Sequence, residues 1–248
     1  MWINLLINLV AGVIIFVVGV LWPIIPKSYR KYQIRKFWGK GSTGNQFAIV
    51  YGALKDSRVV FGQPVPANRF VKYYPNGRAV NLPGPFGNIV GDCEIRASSY
   101  IINSLSSDRK DVIPVIPDED AFKILDRTIV SFGSPSSNLV SDLILREPRN
   151  RYVNFGQTNG MPCINNLVTQ KQHVGFQGPS PKDIGLILKI QNERFPNQNL
   201  FVCAGLGESG TSGAAWYLAR HWRKFRNQAD FGIVLEVEIG SDESARII

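Results

Sequence analysis

The chain has 248 residues, 44% of them hydrophobic and 19% charged, which is typical of a folded protein and excludes a disordered one. The net charge of +9 is uneven, because residues 1–55 hold seven Lys or Arg and no acid, whereas the remainder holds 21 basic and 19 acidic residues. Basic character confined to one short segment argues against nucleic-acid binding, and three scattered cysteines without a C-x-x-C pair argue against a zinc site or a disulfide framework.

The first feature in chain order is an uncharged run, "INLLINLVAGVIIFVVGVLW", at residues 3–22. A helix of this length spans about 30 Å, the thickness of the hydrocarbon core of a bilayer. Trp2 and Trp22 flank the run, and Pro23 and Pro26 end it. The sequence therefore predicts one transmembrane helix within residues 1–26, and Gly12 and Gly19 on it could pack closely in a homodimer.

A basic cluster follows this run directly and predicts both topology and lipid contact. Basic residues near the end of a span stay in the cytoplasm, so the N-terminus is expected outside and the C-terminal domain in the cytoplasm, at the cell membrane. We interpret residues 27–45 as a juxtamembrane segment and linker. The cations expected to contact anionic lipid headgroups are Lys27, Arg30, Lys31, Arg35, Lys36 and Lys40.

Residues 46–248 are predicted to form one cytoplasmic α/β domain, because short apolar runs alternate with helical patterns. Strands are predicted at 46–52, 111–116, 127–133, 184–190, 199–205 and 231–239, and helices at 92–105, 136–145 and 210–225. The runs at 184–190 and 199–205 suggest a hairpin, so the sheet is expected to be mixed but mostly parallel, Rossmann-like, with helices on both faces.

Two glycine-containing turns each follow a strand and precede a helix. One contains G-x-G-x-x-G at residues 205–210, and the other runs from 133 to 138. If their strands are parallel neighbours, both turns open on one crevice, where helix N-termini favour an anionic ligand. The candidate ligand-binding residues are Gly133, Ser134, Ser136, Ser137, Asn138, Gly205, Gly207, Ser209, Gly210 and Thr211.

Glycines at such turns also serve turn shape and close packing without any ligand. Only one strand is predicted after the G-x-G-x-x-G, too few for a complete dinucleotide-binding fold. Glu208 lies inside the loop and would repel a phosphate. A serine nucleophile is disfavoured because His221 lies about 18 Å along the helix from Ser209.

Three functions stay open. The first is a membrane-anchored module that binds a nucleotide or similar phosphorylated small molecule, with a sensor role suggested by the anchor. The second is a nucleotide N-glycoside or phosphate-ester hydrolase that uses Glu208 with Glu94 or Asp126 as its partner. The third is a membrane scaffold without catalysis. The pattern indicates no metal and identifies no cofactor.

Overall fold

The computed structural model describes Val10, Phe16 and residues 28–43, 45–52, 69–73, 79–83, 90–106, 111–175 and 180–248. The predicted membrane span and Lys27 lie outside these residues, except for Val10 and Phe16, which are helical and exposed. No helix in the described part of the chain is long and apolar enough to cross a bilayer.

A seven-stranded sheet forms the centre of the domain, in the order β12-β11-β9-β10-β5-β1-β4. The strands β4, β1, β5 and β10 are parallel neighbours, and β1, β5 and β10 are rich in buried apolar residues, as expected for strands covered on both faces. The seven strands are β1 (Phe47–Tyr51), β4 (Val115–Pro117), β5 (Thr128–Phe132), β9 (Lys182–Gln191), β10 (Asn199–Gly205), β11 (Phe231–Glu238) and β12 (Ser241–Ile247).

The mixed sheet of the sequence prediction is confirmed, but three of its six pairings are antiparallel, so it is not mostly parallel. The physical reason is the length of the connections. Residues 192–198 between β9 and β10 are too few for a crossover helix, and β11 turns into β12 at Gly240, whose φ is +85°. Two strands therefore follow the G-x-G-x-x-G, not one.

Five further strands lie outside this sheet. A hairpin pairs β2 with β3, and a three-stranded antiparallel sheet has the order β6-β7-β8. The bounds are β2 (Arg69–Tyr73), β3 (Ala79–Pro83), β6 (Val153–Thr158), β7 (Met161–Asn166) and β8 (Lys171–His173).

Helices cover both faces of the large sheet, as predicted, because side chains alternate between two cores along each strand. On β10, for example, Phe201 and Cys203 belong to one core, and Leu200 and Val202 to the other. Helices α1 (28–38), α2 (Asp92–Ser106) and α5 (Glu208–His221) pack on the first face. Helices α3 (Asp118–Ala121) and α4 (Leu139–Leu145) pack on the second, beside β6 and β7.

Helix α1 belongs to the domain, although the sequence analysis placed it in a segment outside. Ile34, Phe37 and Trp38 are at most 1% exposed. The Phe37 ring lies 5.6 Å from that of Phe201 and 5.5 Å from that of Trp222, measured between ring centroids. The aromatic residues at 37 and 38 therefore stabilise the core of the domain. Residues 40–43 form a 3₁₀ helix, which replaces most of the expected linker.

Candidate functional site

The two glycine turns lie at the same edge of the sheet. Strands β5 and β10 pair in parallel, with Val130 opposite Phe201, so the turns that follow them are neighbours. Helix α4 then packs on one face of the sheet and α5 on the other. The chain thus diverges between β5 and β10, and such a topological switch point is where open α/β sheets bind ligands. We call the region between Gly133–Asn138 and Gly205–Gly210 the switch-point crevice.

The first turn presents hydroxyl groups. Gly133 has a φ of +101°, a conformation that favours glycine. Beyond it, the Oγ atoms of Ser134 and Ser136 are 2.8 Å apart, and those of Ser134 and Ser137 are 3.3 Å apart. Ser136 and Ser137 are exposed, and Ser134 is half-buried, so the three hydroxyls form a polar rim on this side of the crevice.

The N-terminus of α4 is already capped by the protein itself. The Asn138 side-chain oxygen accepts hydrogen bonds from the N–H groups of Val140 (2.9 Å) and Ser141 (3.0 Å), and its amide donates to the carbonyl of Phe132 (2.8 Å). Asp118, at the end of β4, accepts from the N–H of Leu139 at 2.8 Å. Asn138 is therefore a helix cap, and its side chain is engaged within the protein.

The N-terminus of α5, in the second turn, is also capped by the protein itself, here by Asp183 at the start of β9. Its carboxylate accepts from the N–H groups of Gly207 (3.0 Å) and Gly210 (2.6 Å), which are the donors that a phosphate would use. Burial raises the pKa of Asp183, against the lowering effect of these hydrogen bonds. The predicted phosphate cradle thus holds the chain's own carboxylate.

The backbone of the second turn is also tightly packed. A Cβ at Gly210 would lie 2.5 Å from the Ile184 carbonyl oxygen, so the close approach of α5 to β9 requires glycine at position 210. Ser209 and Thr211 are buried; the Ser209 hydroxyl accepts from the Gly240 N–H at 3.0 Å, and Thr211 donates to the Gly207 carbonyl at 3.3 Å. These two hydroxyls therefore face the protein and not the crevice.

Glu94 is the buried carboxyl group of this edge. It accepts from the N–H of Gly52 at 3.2 Å, where β1 ends, and from the N–H of Gly91 at 3.1 Å, just before α2. A Cβ on Gly133 would lie 3.2 Å from Glu94 Oε1. Burial raises the pKa of Glu94 to about 7, with a smaller contribution from Asp118. Glu94 therefore titrates closer to neutral pH than an ordinary glutamate does.

Glu208 is exposed and lines an open cavity of about 480 Å³ between the second turn and strand β7. Asp183 lines the same cavity, together with Lys182 and the apolar Met161, Pro162 and Val174. Glu208 also raises the pKa values of Asp183 and of Cys93, the residue next to Glu94. The structure thus brings Glu208, Glu94 and Asp183 to one edge.

Asp126 is not part of this group. It precedes β5, whereas the two turns follow β5 and β10, so Asp126 lies at the opposite edge of the sheet. The strand between them is five residues long, or about 17 Å, and Asp126 cannot act together with Glu208.

The thiols near this edge are not suited to nucleophilic chemistry. Burial, with help from Glu94 and Glu208, raises the pKa of Cys93 to about 12, and Cys203 is fully buried with a raised pKa. In the part of the chain that the structure describes, no three or more His, Cys, Asp or Glu side chains are grouped as metal ligands.

Two carboxylates that the sequence analysis did not single out organise this part of the fold. Asp183 could have been found from the predicted hairpin, since the start of β9 must lie beside the end of β10. Asp242 on β12 had no such signal. It is 2% exposed, accepts from Ser212 (2.6 Å) and Tyr100 (2.9 Å), and is ion-paired with Arg96 (3.2 Å), so it joins α2, α5 and β12.

Comparison with known proteins adds no identification: no family model matches the chain, and neither the curated proteins nor the solved structures contain a match.

Proposed function

We propose that this protein is a membrane-anchored α/β module that binds a nucleotide or similar phosphorylated small molecule in the switch-point crevice. The observation that carries the proposal is the divergence of α4 and α5 from the neighbouring parallel strands β5 and β10. In this respect the parallel half of the sheet is Rossmann-like, although the antiparallel half is not.

The chemistry around the crevice supports a ligand with two kinds of polar group. Glu94 and Glu208 can accept hydrogen bonds from hydroxyl and amino groups, as ribose and bases offer. The exposed hydroxyls of Ser134, Ser136 and Ser137 can donate to phosphate oxygens on the other side. A nucleotide carries both kinds of group. Because Asp183 fills the N-terminus of α5, we expect the phosphate at the serine rim and not at Gly207.

The anchor is part of the proposal and is supported by the sequence of residues 3–22. The uncharged run and the basic cluster after it support an N-terminus outside and a ligand-binding domain at the cytoplasmic face of the cell membrane. A tag after Ile248 should be protected from extracellular protease in sealed cells. Cleavage of that tag in sealed cells would overturn the orientation.

A second candidate, hydrolysis of a nucleotide at its N-glycosidic or phosphate-ester bond, is favoured by one observation. Glu208 and Asp183 line the same cavity, and Glu94, with a pKa of about 7, could donate a proton near neutral pH. The exposure of Glu208 and the hydrogen bonds that occupy Asp183 favour binding over this chemistry. If the experiment below detects neither binding nor hydrolysis, a membrane scaffold without a ligand is the remaining interpretation.

The binding proposal is tested by native mass spectrometry of the full chain, extracted from cells in a neutral detergent and then titrated with nucleoside mono- and triphosphates. We expect a retained or added phosphorylated molecule on the wild type, and its loss in Ser136→Ala and Glu208→Gln. Two exposed residues outside the two turns provide matched controls, Ser99→Ala on α2 and Glu193→Gln in the loop between β9 and β10 at the opposite edge of the sheet.

The controls should bind like the wild type. If the wild type binds none of these molecules, or if the controls lose binding as the crevice variants do, the proposal is wrong. Release of free base or phosphate during the titration, abolished in Glu208→Gln, would favour the hydrolase instead.

A further inference from the structure

A second cavity, of about 300 Å³, lies at the edge of the sheet opposite the switch-point crevice. It is lined by four cations, Arg35 and Lys36 of α1, Lys189 of β9 and Arg226 after α5. The remaining lining is mostly amide side chains and backbone, and no carboxylate among the described residues contributes to it. We call this the amino-edge cavity, because β10 begins beside it at Asn199.

Lys189 is the unusual member of this group. It lies on a central strand, opposite Phe201 and Phe231, and is only 2% exposed. Its ammonium donates to the backbone carbonyls of Gln228 (2.9 Å) and Ala229 (2.5 Å). Its Nζ also lies 5.4 Å from the centroid of the Phe37 ring. An ammonium has three donors, and two of those of Lys189 are used in hydrogen bonds within the described part of the chain, beside the cavity that Lys189 lines.

A buried lysine at such a position is costly unless its charge is compensated. Burial lowers the pKa of Lys189 to about 8, against the opposite effect of Asp230. Asp230 is itself engaged, with Arg149 at 2.6 Å and with the N–H of Gln191 at 2.8 Å. An anion in the cavity would supply the compensation that the neighbouring side chains do not fully provide.

Two other cations of the cavity, Lys36 and Arg226, have neutral hydrogen-bond partners. Lys36 donates to the Asn227 side-chain oxygen at 3.0 Å, and Arg226 donates to the Gln33 side-chain oxygen at 3.2 Å. Neither is ion-paired with an acid within the described ranges of the chain. Three cations with neutral partners thus converge on one concave space.

We propose that the amino-edge cavity binds the phosphate group of a phosphorylated molecule, through Lys36, Lys189 and Arg226. Phosphate is the anion that several convergent Lys and Arg donors recognise best. A volume of about 300 Å³ is at the lower end for small-molecule pockets, enough for a phosphate with a small organic group.

The phosphate could be presented in two ways, by a phospholipid headgroup or by a soluble phosphate ester. Helix α1 carries Arg35 and Lys36 in its final turn and is 11 residues long, or about 16 Å. Since α1 connects the apolar run to the domain, a headgroup is within reach if that run is in the bilayer. The site does not depend on the switch-point crevice, and its failure would leave the proposed function untouched.

The experiment uses the full chain in two arms. In the first, the chain in a neutral detergent is titrated with glycerol 1-phosphate and with inorganic phosphate by calorimetry. In the second, it is equilibrated with an equal mixture of phosphatidylglycerol and phosphatidylcholine, and retained lipid is counted by native mass spectrometry. The variants are Lys36→Gln and Arg226→Gln, with Lys224→Gln and Arg223→Gln as matched controls, two exposed cations of the 3₁₀ helix Trp222–Phe225 that do not line the cavity.

We expect binding in at least one arm, and a loss of about tenfold in each cavity variant, as for one charge-assisted hydrogen bond. The controls should stay within about twofold of the wild type. Binding in the lipid arm alone identifies a headgroup, and binding in the soluble arm alone identifies a free phosphate ester. Lys189→Met should also lose binding if its unfolding midpoint shows that it folds.

Absence of binding in both arms overturns the proposal. Equal losses in the cavity variants and in the controls do so as well, because they would show a diffuse surface effect and not a site.

Discussion

Asp183 decides how the glycine loop at residues 205–210 is understood. Its carboxylate holds the N–H groups of Gly207 and Gly210, so the loop is closed by a residue 24 positions upstream of Gly207. A loop of this sequence in a βαβ unit commonly cradles a phosphate, and here an internal carboxylate takes that position. Asp183 also links β9 to α5, so its role in the structure is that of a helix cap.

The cap predicts the effect of Asp183→Asn. The amide keeps one oxygen acceptor and replaces the other by a donor that faces an N–H group. We expect the free energy of unfolding to fall by about 1–2 kcal/mol, the usual value of a helix cap or a buried hydrogen bond. Urea unfolding of the variant and the wild type measures this, and an unchanged midpoint would show that the cap contributes nothing.

Glu94 predicts a pH dependence of stability. Its pKa is raised in the folded state, from the ordinary 4.5 to about 7, so the folded state binds the proton more tightly. The stabilisation that Glu94 contributes to the free energy of unfolding is therefore fully present below pH 4.5 and is lost as the pH rises through 7. We expect wild-type stability relative to Glu94→Gln to increase as the pH is lowered from 8 to 5, by about 2–3 kcal/mol at most.

The comparison with Glu94→Gln is needed because the two histidines act in the opposite direction. Burial lowers the pKa of His173 and of His221, so their protonation reduces stability as the pH falls below 6.5. The variant keeps both histidines, and the difference between the two proteins isolates Glu94. Parallel pH profiles of the two proteins would show that residue 94 does not titrate in this range.

For single residues, the sequence predicted which of them lie at this edge of the sheet better than it predicted what their side chains contact. Glu94, Glu208 and the three serines of the first turn do lie at one edge, because β5 and β10 are parallel neighbours as assumed. Ser209, Thr211 and Asn138 face inward, since a hydroxyl or amide in a first helical turn bonds to the nearest backbone groups. That choice depends on packing, which a linear pattern does not contain.

Among the elements, α1 offers a direct test of the boundary between anchor and domain. Phe37 is fully buried among Trp38, Phe201, Trp222 and Phe231. We expect Phe37→Ala to lower the free energy of unfolding by about 3–5 kcal/mol, as for other large core truncations. Tyr32→Ala on the exposed face of the same helix is the control and should cost far less. Unfolding of the two variants at the same midpoint would contradict the packing of α1.

Helix α5 packs on β11 through a glycine. A Cβ at Gly213 would lie 2.7 Å from Val237 Cγ1, so Gly213→Val should overpack this contact and destabilise the fold by about 1–3 kcal/mol. Arg220→Val, on the exposed side of the same helix, carries the same β-branched residue without the clash. Thermal unfolding separates the two, and equal melting temperatures would remove the argument for close packing.

Gly207 cannot serve as a mild counterpart to Gly213. Gly207 is exposed, and a substitution at an exposed turn position ordinarily changes stability little. A Cβ there would lie 2.8 Å from Asp183 Oδ2, so alanine pushes against the cap itself. The exposed side chains of Ser136 and Glu208 are therefore the better probes of ligand binding.

Elements with continuous apolar runs were predictable, and polar ones were not. Strands β1, β5, β9 and β10 and helices α2 and α5 follow their predicted ranges closely, since burial on both faces leaves an uninterrupted hydrophobic signal. The pair β6–β7 was missed although Asn159 and Gly160 form its turn, with φ of 50° and 75°. Asn-Gly is a strong hairpin signal, but the half-exposed strands around it lack the apolar pattern.

At the scale of the whole molecule, the two sheet edges have opposite chemistry. The edge with the switch-point crevice carries the carboxyl groups of Glu94 and Glu208 and the serine hydroxyls of the first turn, and the amino-edge cavity is lined by cations. The core position of α1 also sets where the domain starts, because a chain beginning at Lys27 keeps Ile34, Phe37 and Trp38 in place. The proposed anchor, residues 3–22, precedes α1 in the chain, and the last turn of α1 reaches the amino-edge cavity with Arg35 and Lys36.

The central claim, that a phosphorylated ligand lies at the switch-point crevice, is tested most directly by hydrogen–deuterium exchange. The full chain in neutral detergent is compared with and without adenosine, guanosine, cytidine and uridine triphosphates, each at saturation. The account predicts that at least one of them slows exchange in the two turns, residues 133–139 and 206–211, more than anywhere else in the domain. Unchanged exchange in both turns with all four nucleotides, or protection confined to the amino edge, would contradict it.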